Sequence, residues 1–175
     1  MSLRLVKPEP RHVEAWRRWR TDPVTCHFMP LPPHGIEESA KHLASAKSDL
    51  TDRSVDLYRW IGEADGILVG HLSLNYVDWN HLSCEVGYMM APEMRRKGLG
   101  RPMVAAVLDL GFAAGLERIT AYICTDNPAS IRLAEGLGFQ REGLLRRHAI
   151  IEGERRDHYL YARLKEEWSP PAAAA

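Results

Sequence analysis

Residues 83–115 change hydrophobic period twice, and that change limits the possible fold more than any other feature of the chain. Cys84-Glu85-Val86-Gly87-Tyr88-Met89-Met90 reads as a strand, within an element expected over 83–90, that Ala91-Pro92 ends. From Pro102 onward Met103, Val104, Val107, Leu108 and Gly111 recur at helical spacing, and Gly115 closes a helix expected over 101–115. Between them lies Arg95-Arg96-Lys97-Gly98-Leu99-Gly100-Arg101. A strand, a glycine loop and a helix start can turn free backbone N–H groups and the positive end of a helix dipole toward an anion. Gly98 and Gly100 lack a Cβ, so the backbone there can take positive φ and approach a pyrophosphate closely. A glycine pair before a helix also serves simply as a tight connection. Two other nucleotide loops fit poorly: no Lys-Ser or Lys-Thr ends the run, and its glycines do not follow GxGxxG spacing.

A second anchor follows at Asn127-Pro128-Ala129-Ser130-Ile131-Arg132-Leu133-Ala134-Glu135-Gly136-Leu137-Gly138-Phe139. The β-branched and aromatic residues of 118–124 predict a strand before it, and 128–137 a helix. Asn127 suits an N-cap, Pro128 the first helical position and Gly138 the left-handed stop, so these residues can be explained by capping alone.

Elsewhere the pattern predicts a strand at Leu3–Val6, a helix at Glu14–Arg20, a loop with three prolines over Thr25–Pro33 and a helix over Glu37–Leu50. Leu57–Glu63 and Ile67–Tyr76 alternate about an Asp65-Gly66 turn, and Leu145–Ile151 and His158–Leu164 flank Glu152-Gly153-Glu154. The expected result is a mixed sheet with helices on both faces. With 175 residues the chain reads as a single domain over 1–168 with a mobile, low-complexity tail over 169–175.

The order RxxGxG, then NxxS and Gly-Phe, resembles the two cofactor motifs of the GNAT N-acetyltransferase superfamily, in particular its RimJ/RimL branch of ribosomal-protein N-terminal acetyltransferases. The resemblance extends over most of the chain, through Trp19-Arg20-Thr21-Asp22-Pro23, Gly70-His71-Leu72-Ser73-Leu74, Glu85-Val86-Gly87-Tyr88, Glu142-Gly143-Leu144-Leu145-Arg146 and Tyr161-Ala162-Arg163-Leu164. It implies an α/β (α+β) GNAT-like fold, a largely antiparallel sheet with a central parallel strand pair. It also implies acetyl-CoA as cosubstrate, held by Arg95, Arg96, Lys97, Gly98, Leu99, Gly100 and Arg101 at the phosphates and by Asn127 at a pantetheine amide. Ser130 would serve the leaving thiolate. The thioester oxygen would take a backbone N–H near Met90, where a bulge leaves donors free.

The branch carries a glutamate 19 residues after the NxxS serine, and here that position is Ala149. Glu85 and His148 are the replacement candidates for the base, and Tyr159 and Tyr161 offer phenols as acids. Alternation along 83–90 puts Glu85, Gly87 and Met89 on one face and Tyr88 and Met90 on the other, with one face expected to look into the cleft. An α-amino group, with a pKa near 7.7–8.0, costs only about 1 kcal/mol to deprotonate at pH 7, against roughly 4.6 for lysine, so a protein N-terminus is the easier acceptor. A small amine such as a polyamine, aminoglycoside or amino-acid derivative is the alternative, and a non-catalytic acyl-CoA-binding module is a third reading.

Lys and Arg number 23, as do Asp and Glu, which argues against a nucleic-acid binder driven by bulk charge. The cysteines, Cys26, Cys84 and Cys124, are scattered and odd in number, so neither a disulfide framework nor a metal site is expected. With no apolar export run and no membrane-length apolar stretch, a cytoplasmic protein without a membrane partner is expected, and the resemblance admits a homodimer.

Overall fold

The computed structural model describes residues 3–30 and 35–170. Seven strands form one sheet: β1 (Leu3–Val6), β2 (Tyr58–Ala64), β3 (Ile67–Asp78), β4 (Ser83–Met90), β5 (Arg118–Cys124), β6 (Gln140–Ile151) and β7 (Glu154–Leu164). Their spatial order is β1-β2-β3-β4-β5-β7-β6, antiparallel except for the β4–β5 pair. Among the described residues five α-helices accompany them: α1 (Val13–Arg20), α2 (Pro23–Phe28), α3 (Ile36–Ala44), α4 (Gly100–Ala113) and α5 (Pro128–Gly136). The expected mixed sheet with one parallel pair is therefore present, and the β4–α4–β5 crossover supplies it.

Two glycines seat α4. Gly62 and Gly70 lie opposite each other on β2 and β3, and a Cβ at either would stand 3.0–3.2 Å from the Met103 sulfur. Met103, fully buried, occupies the space that the missing side chains leave. This face also carries Leu72 and Leu74, packed with Val104, Val107 and Leu108 of α4 in the main core. The opposite face of β3 carries His71, against which Trp16 of α1 packs edge-on at 5.9 Å. Both hairpins expected from sequence turn through left-handed residues: Asp65 and Gly66 (φ 50° and 80°), then Glu152 and Gly153 (φ 51° and 83°).

The boundaries that differ most from expectation lie in α2, in α3 and in the last hairpin, where β7 begins at Glu154, four residues before the expected His158. The loop expected from Thr25 begins as α2, because Asp22 caps it by accepting the Thr25 N–H at 2.9 Å and Pro23 fills the first turn. Leu31–His34, with two of the three prolines, lies outside the described residues. The helix expected to reach Leu50 stops at Ala44: the Asp49 and Asp52 carboxylates take the N–H groups of Thr51 and Ser54, and such local bonds compete with helix. Strand β6 begins five residues before Leu145 and tolerates the extra length through register shifts at Arg141/Gly143 and Leu145/Ala149. Of the tail, residues 171–175 lie outside the described residues.

Candidate active site

The parallel pairing of β4 with β5 covers only Ser83, Cys84 and Glu85, opposite Arg118, Ile119 and Thr120. Beyond Glu85 the two strands part, and a cavity of about 1250 Å³ opens between them. Register determines what β4 offers to it. Ala91 N–H bonds Val69 O, so Val69 and Ala91 are a hydrogen-bonded pair. The unbroken register from Gly70↔Met90 to Asn75↔Glu85 then makes 71/89, 73/87 and 75/85 bonded pairs as well. Val86, Tyr88 and Met90 fall at the alternate positions with their N–H groups turned away from β3; Val86 meets the last β5 rung at Thr120, and those of Tyr88 and Met90 point into the gap left by β5. A donor at Met90 was expected from a bulge. The register at Met90 is regular, and the parting of β4 from β5 frees the donor instead.

The same parting lets both faces of β4 line the cavity, where only one was expected: Glu85, Gly87 and Met89 from the α1 side, Tyr88 and Met90 from the α5 side. Glu85 makes no ion pair or hydrogen bond among the described residues, and burial raises its pKa above the ordinary carboxyl value. The Tyr88 hydroxyl is shut from solvent without a hydrogen-bond partner. The nearby Ser130 hydroxyl draws the phenol pKa down without bonding geometry, but burial outweighs it and leaves the pKa raised, so Tyr88 keeps its proton. Tyr88 was not singled out from sequence. The signal available was its alternation with Glu85, since its burial depends on contacts remote in the chain.

Arg95–Arg101 joins the end of β4 to α4. Arg96 (φ 61°) and Gly98 (φ 76°) both take the left-handed region, and a Cβ at Gly98 would meet nothing within 4 Å. Among the described residues no acceptor takes the N–H groups of Arg96 through Arg101, and the Arg96, Lys97 and Arg101 side chains are exposed. Gly100 lies against Met90 and Leu133, which brings the start of α4 to the mouth of the cavity. Arg95 turns away from this group: it bonds Asp22 at 2.5 Å and Thr25 at 2.8 Å, fixing α2 to the loop. Burial pulls the Asp22 pKa upward, yet the Arg95 and Thr25 bonds prevail and hold it below the ordinary value.

Asn127 and Ser130 both reach the cavity from the start of α5. Asn127 is also the cap, its Oδ1 accepting the Ser130 N–H at 3.1 Å, which leaves its amide NH₂ as a donor. His148, exposed on β6, lines the α1 side of the cavity and stacks on Tyr122 at 5.0 Å, edge-on to His158 at 5.2 Å. Burial and the neighbouring His148 lower the pKa of His158, while the Cys124 thiol, 3.2 Å from His158 Nε2, is pushed up to about 11 by burial. Tyr161 faces α5, where its hydroxyl donates to Glu135 at 3.0 Å, and Tyr159 packs beside Arg141, so neither lines the cavity. Among the described residues no group of three or more His, Cys, Asp and Glu side chains is placed to hold a metal ion, and no helix is long and apolar enough to cross a membrane.

The acetyltransferase (GNAT) domain family matches residues 2–140. The chain belongs to the GNAT acetyltransferase family. It is 27% identical to the uncharacterized N-acetyltransferase p20 of Bacillus licheniformis over 169 residues, 95% of each chain. With the [ribosomal protein uS5]-alanine N-acetyltransferase of Escherichia coli it shares 31% over 97 residues, 55% of this chain and 50% of that enzyme. The structure of a spermidine N-acetyltransferase from Vibrio cholerae in complex with CoA and spermine superposes with a TM-score of 0.84 at 23% identity, covering 94% of this chain and 96% of that one. The GNAT chain described here is an N-acetyltransferase, and its relatives include both a ribosomal-protein alanine N-acetyltransferase and a spermidine N(1)-acetyltransferase.

Proposed function

We propose that this acetyltransferase moves the acetyl group of acetyl-CoA onto an α-amino group, with Glu85 as base. The observation that carries the reading is the meeting, where β4 leaves β5, of an unpaired carboxyl of raised pKa, backbone N–H donors and a buried phenol that keeps its proton. The open N–H groups of 96–101 receive the pyrophosphate, and the Asn127 amide binds the pantetheine arm. The amine enters from the α1 side and its nitrogen attacks the thioester carbon while its proton passes to Glu85, directly or through one water. The Met90 N–H holds the oxygen as it gains charge. The C–S bond breaks and the thiolate takes the Tyr88 proton, with Ser130 bonding the sulfur. The proton on Glu85 then returns to Tyr88 through water, which closes the balance.

A carboxylate is a weak base, and the reading suits an acceptor that needs little help. An α-amino group costs about 1 kcal/mol to deprotonate at pH 7, and an alkyl amine of lysine type several times more. A small amine acceptor is the second reading, favoured by the superposition on the spermidine enzyme. Thiol release from acetyl-CoA with N-terminally free peptides and with spermidine decides between them. Faster turnover of the peptides is expected. Turnover of spermidine alone would overturn the α-amino reading, and no turnover of any amine with CoA bound would overturn the mechanism.

A further inference from the structure

On the α1 side the large cavity continues into a second one of about 310 Å³, and Arg59, Asn75, Glu85 and Gly87 belong to both walls. Arg59 sits on β2 opposite Ser73, which pairs with Gly87, while Asn75 pairs with Glu85 on the next rung of the same face. A Cβ at Gly87 would lie 2.6 Å from Ser73 Oγ and 3.0 Å from Asn75 Nδ2, so these two polar groups lean over the glycine and floor the space between Arg59 and Glu85. Arg59 is half-buried, and its guanidinium has no ion pair, hydrogen bond or stacked ring among the described residues. Its charge is felt across the compartment: burial, then Arg59 and Arg20, push His71 down to about 3, so the imidazole is neutral and adds no competing charge. A partly desolvated guanidinium without a counter-ion is costly, and it becomes favourable once a carboxylate meets its planar fork.

We infer that the acceptor carries a carboxylate beside its amine, and that Arg59, with Ser73 and Asn75, binds it. This rests on the acetyltransferase reading above and names the acceptor class for the same site. Two strand spacings, about 10 Å, separate the β2 and β4 columns, and the Arg59 and Glu85 side chains both line the compartment between them. A molecule holding amine and carboxylate a few ångströms apart therefore spans the two. Arg20, which lies over Trp16 at 4.6 Å on the wall of the second cavity, adds positive charge to the same compartment, so an anionic group is favoured there, and the planar fork of Arg59 fits a carboxylate. A polyamine would set cations against Arg59. The carboxylate has two sources, the α-carboxylate of a free amino acid or the side chain of an acidic residue next to a peptide N-terminus.

The test uses matched acceptors, with rates compared per unit of neutral amine because the carboxylate of leucine raises its amine pKa above that of leucinamide: leucine against leucinamide, and a peptide amide with glutamate against glutamine at its second position. A ten- to hundredfold higher kcat/KM is expected for the acid of one pair, about the value of a charged hydrogen-bonded pair. The pair that shows it identifies the source. Arg59→Met, which keeps the apolar stem, should bring that ratio close to one, and Arg59→Lys should restore part of it, with CoA affinity retained in both as the check on folding. A readout without turnover accompanies it. N-acetylleucine should raise the melting temperature of the CoA-bound protein and N-acetylleucinamide should not, and Arg59→Met should abolish the difference. If amines are acetylated with no acid preference in either pair and no acid-dependent melting shift, the carboxylate site is refuted while the enzyme reading stands. If the acid-dependent shift appears with no amine acetylated, the site stands and the catalytic reading falls.

Discussion

Gly70→Ala tests whether the spacing of β3 and β4 sets the chemistry. The new Cβ would sit 2.3 Å from the Met89 carbonyl oxygen and 3.2 Å from the Met103 methyl and sulfur. Met103 ends in a flexible thioether and can give a few tenths of an ångström. The Met89 carbonyl is backbone and cannot. Ordinary contact begins at 3.4 Å, so β4 must move by about 1 Å relative to β3. Replacing a strand glycine by alanine gains roughly 0.5–1 kcal/mol of chain entropy, but overpacking of this kind costs about 1–3 kcal/mol, and a backbone clash belongs at the upper end. The clash wins. For a chain of this size that loss lowers the melting temperature by roughly 4–10 °C. Gly70 pairs with Met90, whose N–H is the proposed oxyanion donor, so the displacement falls on the reacting centre. A 1 Å misplacement costs on the order of a hundredfold in rate. Thermal melting, steady-state thiol release and CoA calorimetry measure the three terms, with CoA affinity expected to change much less than kcat. A variant with wild-type melting temperature and kcat would show that the β3–β4 spacing does not control the site.

Glu85→Gln should lower kcat/KM by about 10²–10⁴ and remove the acid limb of its pH profile. Because burial raises the Glu85 pKa, ionised Glu85 costs stability above that pKa, so the variant should melt no lower than wild type at pH 7, which separates lost chemistry from lost fold. Tyr88→Phe should slow thiol release with CoA affinity retained, and Ser130→Ala should slow it less, since the Asn127 cap uses the Ser130 backbone and not its hydroxyl. Equal kcat in wild type and Tyr88→Phe would remove the phenol from the proton path. Gly98→Asp should abolish CoA binding by calorimetry: its side chain meets open space, so the loss comes from φ +76° and from charge in the anion loop. Gly100→Asp, whose Cβ would stand 3.6 Å from Leu133, should act through charge alone, and unchanged affinity in both would end the phosphate role.

What the sequence disclosed were features written in a few consecutive residues. Asp65-Gly66 and Glu152-Gly153 announce hairpins because few residue pairs accept two left-handed turns in succession. Asn127-Pro128 announces a helix start because a cap and a locked φ lie side by side. Asp22-Pro23 carries the same signal and was obscured by the prolines that follow. The active site is written differently. The free N–H of Met90 arises because β4 bonds β3 on one edge in unbroken register and loses β5 on the other after Glu85, a property of three strands that no window of residues contains. Tyr88 and Glu85 both reach one cavity only because that lost pairing opens the sheet between its two faces. Arg59 on its own reads as a polar position in an alternating strand. Its meaning comes from Ser73, Gly87 and Asn75 on neighbouring strands, and from having no ion pair among the described residues. The family's catalytic chemistry can therefore be expected from short motifs, while the proposed acceptor carboxylate is read from a charge that the sheet leaves uncompensated.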